Sequence, residues 1–336
     1  MEIIIDKSNA DQRFDRFLRK RFKIYPKVRL ADIYALIRKG SAKVNAKKQK
    51  EQYRLNVGDL VSIDDHVTLG DADFSVLTSG KEKQLEKVDI RKIQDRIIYS
   101  DQHWLVFNKP AGILVHPGNQ HWKDLSMNDY LEKVVESWKL KVESSNVAVT
   151  FKPAFGYRLD KDTSGVLIAA KTYDALQYIN KIIRERQIDK YYLALVMGTF
   201  PDHLLIDKPL EKQYNERFDR AQVKVDFRYG VSAKTECRWD KTFTHEVLGE
   251  CSLVRIKIET WRMHQIRVHL ADAWFPVLWD LVYGNPALNR IMHRSLGINR
   301  QLLHCRKYSF FDYFSQQQCK FEAPIPADFN KVLGKE

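Results

Sequence analysis

Glycine, cysteine and long apolar runs are all scarce in this 336-residue chain. The 14 glycines never come closer in sequence than Gly112 and Gly118. A dinucleotide-binding fingerprint needs glycines two apart, and a P-loop needs a pair five apart followed by Lys. Neither pattern occurs, so a bound nucleotide cofactor is not expected. The His-Glu pair His245-Glu246 has no second His at the spacing of a zinc-protease helix, and a metal is not expected either. Four cysteines (Cys237, Cys251, Cys305, Cys319) include no pair at two-residue spacing and read as free thiols in a reducing compartment. No apolar run approaches the ~18 residues of a membrane span, and the three isoleucines near the N-terminus are too short for a signal peptide. A soluble, cytoplasmic protein with no membrane partner is the expectation. With 44% hydrophobic and 12% aromatic residues the chain has ample material for a core, and its length suggests two domains.

What the chain does have is positive charge, unevenly placed. Its formal net charge is +13. Between Arg13 and Arg54 fifteen Lys or Arg face only three acids, Asp15, Asp32 and Glu51. Phe14, Phe17, Leu18 and Phe22 recur at helical spacing, as do Leu30, Ile33, Leu36 and Ile37 before the stop signal Gly40. Short strands are expected near Lys43–Asn45 and Leu60–Ile63. Two helices with a basic outer face and little acid between them exceed ordinary surface solvation and point to phosphate binding.

The segment Arg13-Phe14-Asp15-Arg16-Phe17-Leu18, then Ile37-Arg38-Lys39-Gly40, Lys43-Val44-Asn45 and Gly58-Asp59-Leu60-Val61, resembles the S4 RNA-binding domain. The resemblance implies structured RNA as partner and Arg13, Arg16, Arg19, Lys20, Arg29, Arg38, Lys39 and Lys43 as contacts. Residues 1–66 are therefore expected to form this S4-like domain, 67–96 a polar linker and 97–336 a second domain. In that domain the sequence predicts strands at Trp104–Phe107, Lys190–Val196 and Leu253–Ile258. Helices are expected at Asp174–Arg186 and His264–Ala273. Trp104, Trp239 and Trp274 are expected in the core.

The most informative stretch is Gly156-Tyr157-Arg158-Leu159-Asp160-Lys161-Asp162-Thr163-Ser164-Gly165, running into the apolar Val166–Ala170. Arg, Asp and hydroxyl residues just before a buried strand suit a loop-borne site held by a sheet, although a plain Asx turn entering a strand has the same pattern. In context the stretch resembles the central motif of the RluA-type pseudouridine synthases. Other blocks follow that family in order. They are Asn108-Lys109-Pro110-Ala111-Gly112 with Val115-His116-Pro117-Gly118, then Lys190 to Gly198, Arg262 to His269, and Leu303-His304. The spacing is most like the RluC branch, which acts on 23S ribosomal RNA. The resemblance implies an α+β fold with a mixed, largely antiparallel sheet, and catalytic roles for Asp160, Tyr192 and Arg267. It also implies that Arg158 helps hold the stack emptied when the target base flips out.

The chemistry agrees with those residue types. Breaking an N-glycosidic bond and rejoining the base through carbon 5 is an isomerisation, needing a carboxylate that attacks or stabilises a cationic sugar. Arg267, always charged, can keep Asp160 ionised, and Tyr192 can stack on the base or handle its departing proton. Asp162 reads as surface charge, Lys109 as a turn-defining residue, and His264 and His269 as structural. The chain departs from the family pattern at Tyr157, where His is usual, and at Trp261 and Met263, where the motif opens Gly-Arg-Thr-His. A third departure is Trp279, where the family has Gly before Asp. The rival readings are a catalytically silent RNA-binding or ribosome-assembly factor, and a carbohydrate-active enzyme using Asp160 with Asp162. A monomer is expected.

Overall fold

A computed structural model of the chain describes residues 2–5, 9–22, 28–64, 89–116, 124–139, 151–215 and 220–334. These fall into two compact units. One comprises Met1–Gln94, His116–Ala154 and Ala170–Leu176, the other Asp95–Val115, Phe155–Ala169 and Gln177–Glu336.

The first unit opens with β1 (Glu2–Ile4), α1 (Phe14–Phe22), α2 (Leu30–Lys39), β2 (Ala42–Val44) and β3 (Leu60–Ile63). The strands form an antiparallel sheet in the order β1-β3-β2. The apolar stripes foreseen for the two helices meet as one core in which Phe14, Phe17, Leu18, Ile33, Leu36 and Ile37 pack with Val44, Leu55 and Val61, whereas Leu30, at the first helical position of the second stripe, stays exposed. The outward positions carry the cations. Arg13, Arg16, Arg19, Lys20, Arg29, Arg38 and Lys39 are exposed and Lys43 is half-buried. Arg13 pairs with Asp15 and Arg29 with Asp32. The strand β1 has no sequence signal, because three residues are too few to show alternation; its pairing with β3 creates it. Most of the expected linker lies outside the described residues, as do Pro117 and Gly118. The linker's end is structured, for Ile90–Gln94 is a short helix packed on the helix Met127–Lys139, with Ile93, Leu131 and Val134 buried.

The second unit is built on a ten-stranded sheet. Its strands are β4 (Ile97–Ser100), β5 (Trp104–Lys109), β6 (Ala154–Phe155), β7 (Ser164–Ala170), β8 (Ile188–Met197) and β9 (His203–Asp207), then β12 (Lys234–His245), β13 (Gly249–Ile258), β14 (Leu303–Asp312) and β15 (Gln317–Glu322). Between them in sequence, β10 (Leu210–Asn215) and β11 (Arg220–Val225) form a separate hairpin. The order β4-β5-β7-β14-β8-β13-β12-β9 places the late strand β14 between β7 and β8. The β7–β14 pair is parallel, whereas β4–β5, β8–β14, β8–β13, β12–β13, β9–β12 and β14–β15 are antiparallel, giving the mixed, largely antiparallel sheet expected. β7 is buried along its whole length, as an unbroken Ser-Gly-Val-Leu-Ile-Ala-Ala run in a central strand should be. Gly165 permits the close approach of β14. It carries φ 116°, and a Cβ there would lie 2.1 Å from the Cys305 carbonyl oxygen.

Of the three tryptophans expected in the core, only Trp104 is there. Trp239 sits at a bulge in β12 and is 40% exposed, and Trp274, with φ 68°, leaves its helix outward and is 88% exposed. A bulge and a left-handed residue both reverse the face that simple periodicity assigns. Among the described residues, no helix is long and apolar enough to cross a membrane.

Candidate active site

Asp160 lies on the loop between Tyr157 and β7, and the backbone of that loop is tied down at several points. Lys109, fully buried at the end of β5, places its Nζ 2.9 Å from each of the carbonyl oxygens of Pro110, Lys161 and Thr163. Three acceptors match the three donors of an ammonium. Burial pushes the Lys109 amine down to about 7, with the negative charges of Asp162 and Asp160 acting in the opposite sense. Gly112 donates its backbone N–H to the Lys161 carbonyl, and Gln301 donates to Thr163 Oγ1 at 2.9 Å. Ser164 Oγ stands 2.9 Å from His304 Nδ1. Burial drives His304 down to about 4, so the ring is neutral, and because its Nε2 faces the Ala323 carbonyl, which can only accept, Nδ1 accepts the Ser164 hydroxyl proton. Arg300, itself salt-bridged to Asp328, reaches the carbonyls of Gln301 and Leu303. The Asp160 carboxylate is thus carried on a rigid support, and its side chain stays 29% exposed.

Arg267 faces it from the helix Gln265–Asp272. Its Nη1 donates to Asp160 Oδ2 at 3.0 Å, while Nε and Nη2 form a fork to Asp280 at 2.6 and 2.9 Å. Asp280 is in turn held by backbone N–H donation from Val282 and Tyr283. Burial opposes charge on both partners. The hydrogen bonds of Arg267 nevertheless bring the Asp280 carboxyl below its ordinary range, and those of Asp280 and Asp160 raise the Arg267 guanidinium above its own. Asp160 Oδ1 has no hydrogen-bond partner among the described residues, and Asp160 lines a cavity together with Arg158, Tyr192, Trp261, Arg262 and His264. Arg158 is exposed at its rim. Tyr192, on β8, is buried; burial, and then Cys305 beside it, hold its phenol protonated far above the ordinary range.

These three residues converge from a loop, a strand and a helix more than thirty positions apart. The regions that supply them coincide with a known family. Residues 103–272 match the RNA pseudouridylate synthase family. The chain is 34% identical to ribosomal large subunit pseudouridine synthase C of Vibrio vulnificus over 98% of this chain and 94% of that one. It is 32% identical to the protein of that name from Escherichia coli K12 over 99% and 95%, and 32% to that of Buchnera aphidicola (Acyrthosiphon pisum) over 98% and 96%. The chain belongs to the RNA pseudouridylate synthase family. It is an RNA pseudouridine synthase of the RluA type, on the RluC branch. Two human structures share the fold at 21% identity. RNA pseudouridylate synthase domain containing 4 has a TM-score of 0.56, covering 76% of this chain and 96% of that one. Domain containing 1 has a TM-score of 0.54, covering 69% and 86%.

Several details of the synthase site escape sequence reasoning. His264, expected to be structural on a helix, is instead the left-handed residue before it, with φ 54°. That backbone turns its ring to the site, with Nε2 3.9 Å from Asp160 Oδ2 and Nδ1 2.9 Å from the Tyr283 hydroxyl. His269, by contrast, is buried between Thr235 Oγ1 and the Lys208 carbonyl, as a structural histidine. Asp280 and Arg300 carry no local signal of their own; their partners Arg267 and Asp328, 13 and 28 residues away, give them a role. Tyr157 occupies the usual His position and clamps the sheet. Its hydroxyl donates to the Val166 carbonyl and accepts from the Ile168 N–H, both at 3.1 Å, and its ring stacks on Tyr308 at 4.7 Å. Trp261 packs against Tyr157 at 5.1 Å and covers Lys190, whose Nζ is 3.9 Å from the indole centroid. Trp279 stands where the family pattern has Gly and lies in the left-handed region, with φ 59°; its buried indole N–H has no partner in the described residues. Asp162 is half-buried and lines a different cavity, beside Lys109 and Arg300. Asp160 is the one of the two that Arg267 contacts, so the pair is not symmetrically placed as two glycosidase acids would be.

Proposed function

We propose that this chain converts uridine to pseudouridine in large-subunit (23S) ribosomal RNA, with Asp160 as the reacting carboxylate. The observation that carries the reading is the hydrogen bond from Arg267 to Asp160, made by a guanidinium that Asp280 already clamps. The carboxylate stabilises or attacks the sugar or base as the N-glycosidic bond breaks. The base turns, the sugar joins carbon 5, the carbon-5 hydrogen leaves as a proton and the freed ring nitrogen takes one up. Atoms and electrons balance with no external oxidant or reductant.

Tyr192 presents a neutral ring and hydroxyl at physiological pH, which suits contact with the base better than removal of its proton. Arg158, exposed on the rim, is placed to occupy the stack that a flipped base leaves, a step costing a few kcal/mol. Residues 1–66 serve as an S4-like RNA-binding domain, with Arg13, Arg16, Arg19, Lys20, Arg29, Arg38, Lys39 and Lys43 on phosphates. Residues 67–96 are the connection and 97–336 the catalytic domain. The ribosomal substrate is supported by the relatives' names and by the net charge of +13, and a monomeric enzyme acting in the cytoplasm is the reading that goes with it.

Tritium release from transcribed 23S RNA carrying 5-tritiated uridine tests the reading directly. Asp160→Asn should bind the RNA as wild type does and release no tritium, while Asp162→Asn remains active. Turnover by Asp160→Asn near the wild-type rate would refute the mechanism; no turnover by wild type would favour a silent RNA-binding factor.

A further inference from the structure

The turn Asp226–Gly230, between β11 and β12, displays Phe227 at 77% exposure and Tyr229 at 64%, followed by Val231 at 53%. Single exposed apolar residues are ordinary, but three within five positions are not. Nor is this turn loose. Asp226 Oδ1 accepts the backbone N–H groups of Arg228 and Tyr229, both at 2.9 Å, and Lys224 pairs with the same carboxylate at 2.8 Å. Asp226 N–H donates to the Pro209 carbonyl and Gly230 N–H to the Asp226 carbonyl. Leu210 and Val231 exchange both of their backbone hydrogen bonds at 2.9 Å. Gly230 is obligatory, since a Cβ there would lie 2.2 Å from the Asp226 carbonyl oxygen. The fold therefore uses a tight hydrogen-bonded frame to hold two aromatic rings in solvent. The Arg228 guanidinium sits over one of them, 5.1 Å from the Tyr229 centroid.

The same segment is anchored to the active site on both sides. Two residues beyond the turn, the Ser232 carbonyl accepts from Arg262 Nε at 3.2 Å, and Arg262 lines the cavity of Asp160. Before the turn, Val223 N–H donates to the Tyr283 hydroxyl, which also meets His264. Tyr229 is three residues from Ser232, so their Cα atoms are at most about 11 Å apart, a span of a few stacked nucleotides.

We propose that Phe227 and Tyr229 form a base-stacking site for single-stranded RNA flanking the target uridine, with Arg228 on the adjoining phosphate. Rigid exposed aromatic faces beside a cation are the chemistry that holds unpaired bases without reading their sequence. The inference rests on the proposed activity toward RNA, and its test separates the two.

Tritium release from 5-tritiated, transcribed bacterial 23S RNA is followed against RNA concentration, alongside filter binding of the same transcript. Because both side chains are exposed, Phe227→Ser/Tyr229→Ser should fold normally. It should raise KM and Kd by about tenfold or more and leave kcat within about twofold. Its slope of log Kd against log salt should match wild type, since a ring releases no counterions; Arg228→Gln should flatten that slope by about 0.7. Phe227→Tyr/Tyr229→Phe, which keeps both rings, should retain wild-type KM. Unchanged KM and Kd in the double serine variant overturn the proposal, as does a defect seen with ribosomal particles and not with naked RNA, which would make the turn a protein contact. If wild type releases no tritium, the proposed activity fails and the binding arm alone still decides the stacking site.

Discussion

Arg267 spends two of its three guanidinium nitrogens on Asp280 and offers the third to Asp160. The bidentate contacts are 2.6 and 2.9 Å and the single one is 3.0 Å. Asp280 is 1% exposed and Arg267 is 5% exposed, so the pair is a fixed mount for the charge that faces Asp160.

Asp280→Asn should therefore damage catalysis from a position that touches no substrate. Breaking one partner of a buried pair costs about 3–5 kcal/mol, and misplacing a reactive group by an ångström costs about 10²-fold in rate. The expected result is a fall in kcat of that order with RNA affinity unchanged, read by single-turnover tritium release and filter binding. A variant with the unfolding midpoint lowered and kcat intact would make Asp280 purely structural.

Lys109→Met should loosen the loop that carries Asp160. The Pro110 and Thr163 carbonyls lose the ammonium while the Lys161 carbonyl keeps the Gly112 N–H, at roughly 1–3 kcal/mol per carbonyl left unpaired, so a destabilisation of about 2 kcal/mol or more is expected in urea unfolding. A loss below about 1 kcal/mol would show that water replaces the ammonium.

His304 makes stability fall with acid. Its folded value of about 4 lies below the ordinary 6.5, so between those pH values the unfolded chain binds a proton that the folded chain does not. The contribution is whole above pH 6.5 and is lost as the pH drops toward 4, amounting to about 3 kcal/mol. Unfolding free energies of wild type and His304→Gln, measured from pH 7 to 4, should diverge by that slope. Parallel curves would mean that the buried ring titrates normally.

Arg16, Arg19, Lys20 and Lys39 are exposed, and among the described residues none has a carboxylate partner. Changing all four to Gln should lower the salt slope of RNA binding by about 3, at roughly 0.7–0.9 per phosphate contact, and leave the unfolding midpoint in place. An unchanged slope would remove this face from the RNA interface.

The sequence by itself determined the parts of this protein whose signals are local. Helical spacing of Phe14, Phe17, Leu18 and Phe22 defines α1, an unbroken apolar run defines β7, and the Arg158–Gly165 motif with its ordered companions points to the family to which the chain belongs. Periodicity and motif order survive in one dimension because each is set by neighbours a few residues away. What only the tertiary structure decided is how those parts are mounted. Inserting β14 between β7 and β8 brings His304 to Ser164 across 140 residues, and the Asx turn at Asp280 brings a second carboxylate to Arg267. A left-handed backbone at His264 and a bulge at Trp239 turn side chains to faces that their spacing denies. Such contacts depend on strand order and on single backbone dihedrals, and neither leaves a periodic trace in the chain.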